Sequence, residues 1–273
     1  MDGQQVRGGL AHYDTNYGRF QTALYEEIRR EAFGEDIGQN SWLTAAEQDT
    51  FVKWLDLAAG RRLLDVACGA GGPALRIAAM TGCSIVGVDA HEQAIATARS
   101  LAEQRGLGTV ADFQHADAQK PLSFQASSFD AITCIDAINH LADRPRVIAD
   151  WTRLLKPGGR LLFTDPIVVT GPLTNAEIAV RSSIGFFLFV PPDYDERVIA
   201  EHGLRLLARD DVTANMAMIA ERRCAARASR SAALREIEGE ETYLAQQDFL
   251  ETAARIARER RLSRFLYVAE RVR

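Results

Sequence analysis

The composition of the chain is that of an ordinary globular protein. It has 273 residues, of which 47% are hydrophobic and 25% charged, and its formal net charge is -5. A chain of this length can bury the core of one large domain, or of a domain with a substantial insertion. The negative charge gives no basic footprint for nucleic acid, so we expect no nucleic-acid partner.

The sequence also argues against export, membrane insertion and metal binding. The first residues, MDGQQVRGGLAHYD, contain no apolar run of the kind that a signal peptide requires. The longest apolar stretch, 184–190, is far too short to cross a bilayer. The four cysteines have no paired zinc-ligand spacing and the histidines are scattered, so we expect no metal site. We predict a soluble, cytoplasmic monomer or homodimer.

The N-terminal segment predicts a helical cap over residues 1–45. Aromatic and aliphatic side chains recur at three-to-four spacing over 10–33, which is typical of one or two helices. A polar, glycine-rich loop follows, and Thr44 with Glu47 forms a capping-box start for the next helix. The aromatic side chains of this cap either pack in the core or lie over a ligand pocket.

The stretch 62–78, RLLDVACGAGGPALRIA, predicts a strand, a glycine turn and a helix. Its first half is a short apolar run of the kind that a strand buried on both faces requires. Three glycines interrupt the chain, and Pro73 then stands where a first helical turn tolerates a missing N–H. Such a turn lets the backbone approach a ligand closely, beside the unpaired N–H groups of the helix N-terminus.

Regular strand–helix units follow this turn. The predicted strands are 84–89, 110–115, 129–135 and 160–164, and the helices between them include 92–105. Strands that alternate with helices indicate a parallel sheet covered on both faces. Ligands of such sheets bind at the carboxyl ends of the strands.

The pattern changes in the last hundred residues. We predict a lid helix over 175–189, a sixth strand over 204–212 and a final strand over 263–268. Two charged helices, about 214–235 and 240–261, lie between those strands as an insertion over the pocket. Their arginines are expected to form a solvated face; these are Arg222, Arg223, Arg227, Arg230 and Arg235.

The predicted elements divide the chain into three parts. Residues 1–45 form the cap, and residues 46–171 form the ligand-binding core. Residues 172–273 hold the lid helix, the last two strands and the helical insertion at about 214–261.

The glycine turn alone is ambiguous. Gly69-x-Gly71-x-x-Ala74 satisfies the loose dinucleotide pattern, and Asp89 stands about where a ribose-binding acid belongs. Asp65, inside the strand, favours a different ligand. A carboxylate repels a pyrophosphate and attracts an ammonium group.

Four separated features, taken together, resemble the class I S-adenosylmethionine (SAM)-dependent methyltransferases. They are the Asp65-x-Ala67-x-Gly69-x-Gly71 turn, Asp89 after the second strand, Asp117-Ala118 after the third, and LLKPGGRLLFTDP around the fifth. The resemblance covers about residues 40–170. It implies an α/β fold with a doubly wound, mostly parallel seven-stranded sheet, carrying the N-terminal helical cap and the late helical insertion. The segment from His12 to Trp42 also looks like the cap of members that methylate quinone precursors, tocopherols, sarcosine or phosphoethanolamine.

The resemblance implies SAM as cofactor, with S-adenosylhomocysteine (SAH) as its product. Asp65 would hold the methionine ammonium, Asp89 would accept from both ribose hydroxyls, and Asp117 with Ala118 would meet the adenine. The implied cofactor-binding set is Asp65, Ala67, Gly69, Gly71, Asp89, Ala90, Asp117, Ala118 and Ile135.

The segment after the fourth strand offers the candidates for catalysis. Acceptors that react through oxygen, carbon or a protonated amine need a base, and His140 is the best candidate because histidine titrates near neutral pH. Alternatively His140 is a structural support, and Asn139 orients the acceptor. We expect aromatic walls suited to an apolar or cationic small molecule, from Tyr13, Tyr17 and Trp42 of the cap and Phe186, Phe187 and Phe189 of the lid.

Two other functions remain open from sequence. A nicotinamide-dependent oxidoreductase fits the glycine pattern but gives no reason for Asp65 or for the Asp117-Ala118 pair. A non-catalytic SAM-binding protein fits all the cofactor motifs.

Overall fold

One twisted sheet organises the described part of the chain, residues 17–272 of a computed structural model. Its strands are β1 (Arg62–Val66), β2 (Ser84–Asp89), β3 (Ala111–His115), β4 (Phe129–Cys134), β5 (Leu155–Val169), β6 (Leu204–Asp211) and β7 (Leu262–Arg271). Their order in the sheet is β3-β2-β1-β4-β5-β7-β6. β7 runs antiparallel to both of its neighbours, and the other pairs are parallel. The predicted mostly parallel, seven-stranded α/β sheet is confirmed.

Helices cover both faces of the sheet. Before and between the first strands lie α1 (Ala23–Phe33), α2 (Ala45–Val52), α3 (Gly72–Thr81), α4 (Glu92–Gln104) and α5 (Arg144–Leu154). Later in the chain come α6 (Asn175–Arg181), α7 (Tyr194–Glu201), α8 (Thr213–Ala228), α9 (Ser231–Glu238) and α10 (Glu240–Arg258). A single 3-10 turn, Ile138–His140, follows β4. Within residues 17–272, no helix is long and apolar enough to cross a membrane.

The apolar run of β1 is explained by the two cores that it separates. Leu64 and Val66 pack with Trp151 on one face of the sheet. Leu63 packs with Phe51 on the other face. Each apolar side chain of the strand therefore packs in an apolar core, as a strand in a doubly covered sheet requires.

The strand order places a crevice at the carboxyl end of β1. The chain moves outward from β1 through β2 to β3, then returns to the other side of β1 and continues through β4 to β5. Connections leave in opposite directions on the two sides of β1, which is the switch point where open α/β sheets bind ligands. The glycine turn after β1 lies at this point.

A third apolar cluster joins the first helix to the late insertion. Phe33 of α1 and Trp42 of the following loop pack with Met216 of α8 and Phe249 of α10. These segments are far apart in sequence, and burial of their aromatic and aliphatic side chains brings them together. The described part of the cap thus lies against the insertion.

The predicted helix over 175–189 is wrong beyond Arg181, where α6 ends. The Leu188 N–H donates to the Asn139 carbonyl at 2.8 Å, and Val190 forms a parallel bridge with Val168. Backbone groups engaged by the 3-10 turn and by β5 cannot also close helical turns. The aromatic end of this segment is therefore extended.

The insertion and the fifth strand also differ from the sequence prediction. Three helices replace the predicted two, since the chain breaks after Ala228 and again at Gly239, which has φ of 85°. The unpredicted helix α7 precedes β6. The fifth strand begins before the predicted 160–164, with an irregular start at 155–159 and a register shift against β4.

Candidate active site

A cavity of about 360 Å³ lies at the carboxyl ends of β1, β2 and β4. Its volume is within the range of small-molecule sites. Eight of the nine residues predicted to bind the cofactor line it: Asp65, Ala67, Gly69, Asp89, Ala90, Asp117, Ala118 and Ile135. Gly71 does not. Its φ is 76°, and a Cβ there would come within 2.9 Å of Phe113 and Ala98, so this glycine serves helix packing.

Asp65 is a buried carboxyl group at the wall of this cavity. It lies opposite Thr133 of β4 in the sheet, and the Thr133 hydroxyl donates to its Oδ1 at 2.7 Å. Burial raises the pKa of Asp65 to about 7, against the lowering effect of that hydrogen bond, and the nearby Asp89 raises it further. A cation bound beside Asp65 would therefore stabilise its ionised form and lower its pKa.

Asp89 ties the glycine turn to the start of α4. Its Oδ2 accepts from the Gly69 N–H at 2.8 Å, and its Oδ1 accepts from the His91 N–H at 2.9 Å. Burial raises the pKa of Asp89, and these two backbone donors lower it. Each carboxylate oxygen has a second lone-pair site, so Asp89 can still accept hydrogen bonds from a ligand in the cavity.

The pair at the other end of the cavity is more open. Asp117 is partly exposed, and its Oδ1 accepts from the Gln119 N–H at 2.9 Å. Ala118 follows it along the same wall. A planar ligand group bound here would contact the carboxylate of Asp117 and the methyl group of Ala118.

Two non-glycine residues that follow strand ends adopt the left-handed backbone conformation. Ala67 follows β1 with φ of 55°, and Asp136 follows β4 with φ of 54°. Both line the cavity. A left-handed conformation is strained for a non-glycine residue and persists only where surrounding contacts stabilise it. Such strained positions cluster at functional sites.

A buried ionic network enforces the conformation of Asp136. Arg264 of β7 is fully buried, and it donates to Asp136 Oδ1 at 2.6 Å and to Glu47 Oε1 at 2.7 Å. Thr164 donates to Asp136 Oδ1 at 2.7 Å, and the Trp42 N–H donates to Oδ2 at 2.8 Å. The loop after β4 is thereby fixed to β5, to β7 and to the loop before α2.

Glu47 takes part in this network instead of completing the predicted capping box. Thr44 does cap α2, accepting from the Glu47 N–H at 3.2 Å. The Glu47 carboxylate turns toward Arg264 and also accepts from the Asn215 side chain at 3.0 Å. Sequence reasoning missed Arg264, because it lies in the last strand and more than a hundred residues from Asp136.

A second, smaller cavity of about 60 Å³ shares part of its wall with the first. Asn40, Ser41, Asp136 and His140 line both cavities. The other side chains at its wall are Trp42, Asn139, Pro166, Arg181, Ile184, Phe187, Arg223, Gln246 and Phe249. The second cavity therefore lies between the loop before α2, the 3-10 turn and the late helices.

The aromatic residues predicted for the acceptor pocket are divided among several places. Trp42 and Phe187 line the second cavity, whereas Tyr17 and Phe186 line the first. Phe189 lines neither and packs with Ile167, Ile256 and Leu262. Tyr13 lies outside the described residues.

His140 is held at the shared wall as a neutral imidazole. Its Nδ1 lies 2.9 Å from the Phe186 carbonyl, which requires a proton on Nδ1 and leaves Nε2 as the basic nitrogen. The ring packs edge-on against Phe187 at 4.9 Å between centroids. Burial lowers the pKa of His140 to about 4, so the ring is uncharged at neutral pH.

Two arginines cover the aromatic faces around the second cavity. The Arg181 guanidinium lies 4.4 Å from the Phe249 ring centroid and 5.5 Å from that of Phe187, and Arg223 lies 5.5 Å from Trp42. The expected solvated arginine face is wrong for Arg223, and for Arg227, which is buried and paired with Glu238 at 2.7 Å. Rings already covered by guanidinium groups give little cation–π attraction to a cationic ligand.

Among residues 17–272, no group of three or more histidine, cysteine, aspartate or glutamate side chains is arranged to hold a metal ion.

Comparisons with known proteins find methyltransferases among the curated relatives. A family model described as a methyltransferase domain matches residues 64–163. A 27-O-demethylrifamycin SV methyltransferase of Amycolatopsis mediterranei is 28% identical over 69% of this chain and 74% of its own length. A ubiquinone biosynthesis O-methyltransferase of Methylococcus capsulatus is 30% identical over 58% of this chain and 68% of its own length. Three other curated methyltransferases match over 42% to 58% of their own length.

Among solved structures, a putative sarcosine dimethylglycine methyltransferase from Galdieria sulphuraria superimposes with a TM-score of 0.80. The superposition covers 95% of this chain and 97% of that chain, at 19% sequence identity. At this identity the likeness shows a shared fold.

The Arg264 network makes a prediction about stability. Arg264→Met leaves Asp136 and Glu47 buried without their shared cation, so we expect the free energy of unfolding to fall by about 3–5 kcal/mol. Arg205→Met is the matched control, because Arg205 lies on the neighbouring strand β6 in an exposed pair with Glu270. It should cost about 1 kcal/mol or less. Urea unfolding measures both, and similar losses in the two variants would contradict the role given to Arg264.

Proposed function

Because the chain belongs to the class I SAM-dependent methyltransferases, we propose that it transfers the SAM methyl group to a hydroxyl oxygen of a small-molecule acceptor. The observation that carries the proposal is the candidate base His140, and the guanidinium-covered rings of the second cavity favour oxygen over an amine. The basic Nε2 of His140 belongs to a ring that lies between the cofactor-sized cavity and the second cavity.

The larger cavity fits SAM in charge and in hydrogen-bonding groups. Asp65 is a buried carboxyl group whose raised pKa of about 7 would fall beside an ammonium group. Asp89 is anchored by two backbone N–H groups and retains lone pairs for ribose hydroxyls. Asp117, Ala118 and Ile135 would hold the adenine and the region of the sulfonium, as the family resemblance implies.

SAM supplies an electrophilic methyl group on a positively charged sulfur. The contribution of the protein to such a direct displacement is mostly alignment of the two partners, which can lower the barrier by roughly 7–11 kcal/mol. The acceptor oxygen forms a bond to the methyl carbon as the carbon–sulfur bond breaks, which leaves neutral SAH. The hydroxyl proton then passes to Nε2 of His140.

A hydroxyl acceptor suits the second cavity better than an amine does. The guanidinium groups of Arg181 and Arg223 cover the rings of Trp42, Phe187 and Phe249, so these rings offer little to an ammonium group. The printed names of the Amycolatopsis and Methylococcus relatives also describe transfer to oxygen. Trp42 and Phe187 would form the acceptor walls, with Phe186 on the cofactor side. Asn139 would orient the acceptor.

The raised pKa of Asp65 predicts a pH-dependent affinity for SAH. The carboxylate attracts the ammonium group only when ionised, and its ionised fraction rises from about 0.1 at pH 6 to about 0.9 at pH 8 for a pKa near 7. We expect the Kd for SAH, measured by calorimetry, to fall about tenfold over this range, with proton release on binding. Asp65→Asn should remove the dependence, whereas Asp112→Asn, on the exposed face of β3, should retain it. If the Kd for SAH of the unmodified protein did not change between pH 6 and pH 8, Asp65 would not be the group that binds the ammonium.

The role of His140 is tested by turnover. The protein is incubated with SAM and a panel of phenols, alcohols and amines, and SAH and methylated products are quantified by mass spectrometry. With the best hydroxylated acceptor, His140→Gln should lower kcat by about 10²–10⁴ and leave the Kd for SAH unchanged. His202→Gln, at the C-terminal end of α7, is the control and should retain full activity. Because the pKa of His140 is about 4, kcat/KM should not change near pH 6.5 and should fall only as the pH approaches 4. Methylation of amines alone, or no methylated product at all, would overturn the proposed function.

A further inference from the structure

Asp65 depends on a single side chain for its hydrogen bond. The Thr133 hydroxyl donates to Asp65 Oδ1 at 2.7 Å, and residues 17–272 supply no second donor to this carboxyl group. Asp89, the other buried carboxyl group of the cavity, accepts from two backbone N–H groups instead. Backbone donors remain when a side chain is exchanged, whereas the donor to Asp65 belongs to the side chain of Thr133.

The sheet register explains why Thr133 is the residue that reaches Asp65. Asp65 of β1 lies between Gly87 of β2 and Thr133 of β4. Side chains alternate between the two faces of a sheet, so residues in register on adjacent parallel strands point to the same face. Gly87 has no side chain to offer, and a Cβ there would come within 2.4 Å of the Phe113 ring. Thr133 is therefore the cross-strand neighbour that can bind the carboxyl group.

The hydroxyl of Thr133 has a use beyond packing. All six residues of β4 are buried, and Thr133 is 2% exposed. A buried hydroxyl costs free energy unless it is hydrogen-bonded, so valine would fill the same space in the strand without that cost. The partner of the hydroxyl is Asp65, and both residues line the larger cavity.

We propose that Thr133 is a positioning residue for the cofactor, whose hydroxyl keeps Asp65 ionised and leaves Oδ2 for the ammonium group of SAM. This proposal rests on the proposed function and adds a residue that controls its ammonium site. A hydrogen bond donated to a carboxylate favours the ionised form. The same bond holds Oδ1 on the side of β4 and so fixes the rotation of the carboxyl group. Thr133 acts through Asp65 and need not contact the ligand.

The other groups around Asp65 do not favour its ionisation. Burial raises the pKa of Asp65 most, and Asp89 at the end of β2 raises it further. Burial also raises the pKa of the Cys68 and Cys134 thiols well above their usual range, so both thiols stay neutral. Among the described residues, Thr133 is thus the group that lowers the pKa of Asp65.

The test measures the Kd for SAH by calorimetry from pH 6 to pH 9 in the unmodified protein and in Thr133→Val. Without the hydroxyl, ionised Asp65 is less stable, so the pH above which the Kd levels off should rise by about one pH unit or more. The Kd of Thr133→Val should then exceed that of the unmodified protein by about fivefold to tenfold at pH 6–7 and match it near pH 9. Thr133→Ser keeps the hydroxyl and should restore the profile.

Three controls separate this effect from damage to the site. The compound 5′-methylthioadenosine keeps the nucleoside of SAH and lacks its amino-acid part, so Thr133→Val should not change its Kd. Thr152→Val removes a hydroxyl that donates to the Ile148 carbonyl within α5, at 2.8 Å, and should leave the SAH profile unchanged. Thr133→Ala removes the same hydroxyl as Thr133→Val and should give the same profile, so the result does not depend on the folding of one variant.

The remaining outcomes also decide the question. A merely structural Thr133 would raise the Kd of Thr133→Val by the same factor at every pH, and that result would overturn the proposal. A profile of Thr133→Ser that follows Thr133→Val, or a pH-independent Kd in the unmodified protein, would overturn it as well, while the proposed O-methylation would stand. If the pH-dependent loss is found but no hydroxylated acceptor is methylated, the proposed function fails and this inference stands. If the protein binds no SAH, both fail.

Discussion

The site depends on one buried cation that is shared by two carboxylates. Arg264 has no exposed surface, and it joins β7 to Asp136 at the end of β4 and to Glu47 of α2. Asn215 of α8 binds the same Glu47 and also the Trp42 carbonyl, at 2.8 Å. Charges taken out of water must be closely paired, so these segments cannot move apart without exposing an uncompensated charge. The loop that bears Asn139 and His140 follows directly from this anchored Asp136.

The residues that line the larger cavity were predictable because they lie close together in sequence. A strand of five residues, a glycine turn and a helix bring Asp65 and Gly69 to one strand end, and Asp89 ends the neighbouring strand. The regular alternation of strands and helices then sets the sheet order. The exception is Gly71, which fits the glycine-turn motif but does not line the cavity. A glycine is needed there because Phe113 and Ala98 leave no room for a side chain. A glycine pattern does not distinguish close approach to a ligand from close approach to a neighbouring helix.

The second cavity could not be predicted in the same way, because contacts between distant segments build it. Arg223 belongs to a helix whose sequence predicts a solvated surface, and only its packing over Trp42 brings it to a cavity. Arg181, which lies over Phe249, was not singled out by the sequence analysis. The sequence predicts that the lid helix continues to 189, but hydrogen bonds of Leu188 to the 3-10 turn and of Val190 to β5 keep the end of this segment out of a helix. Local propensity is a weak preference that such tertiary contacts override.

The central claim is that the cavity at the end of β1 recognises a nucleoside that carries an amino-acid ammonium group, and not a dinucleotide. Asp65 decides between them, since a buried carboxylate beside the glycine turn attracts an ammonium group and repels a pyrophosphate. The most direct test is calorimetric titration of the protein with SAH and, separately, with NAD. The account predicts one SAH bound per chain and no heat from NAD. Binding of NAD without binding of SAH would contradict it.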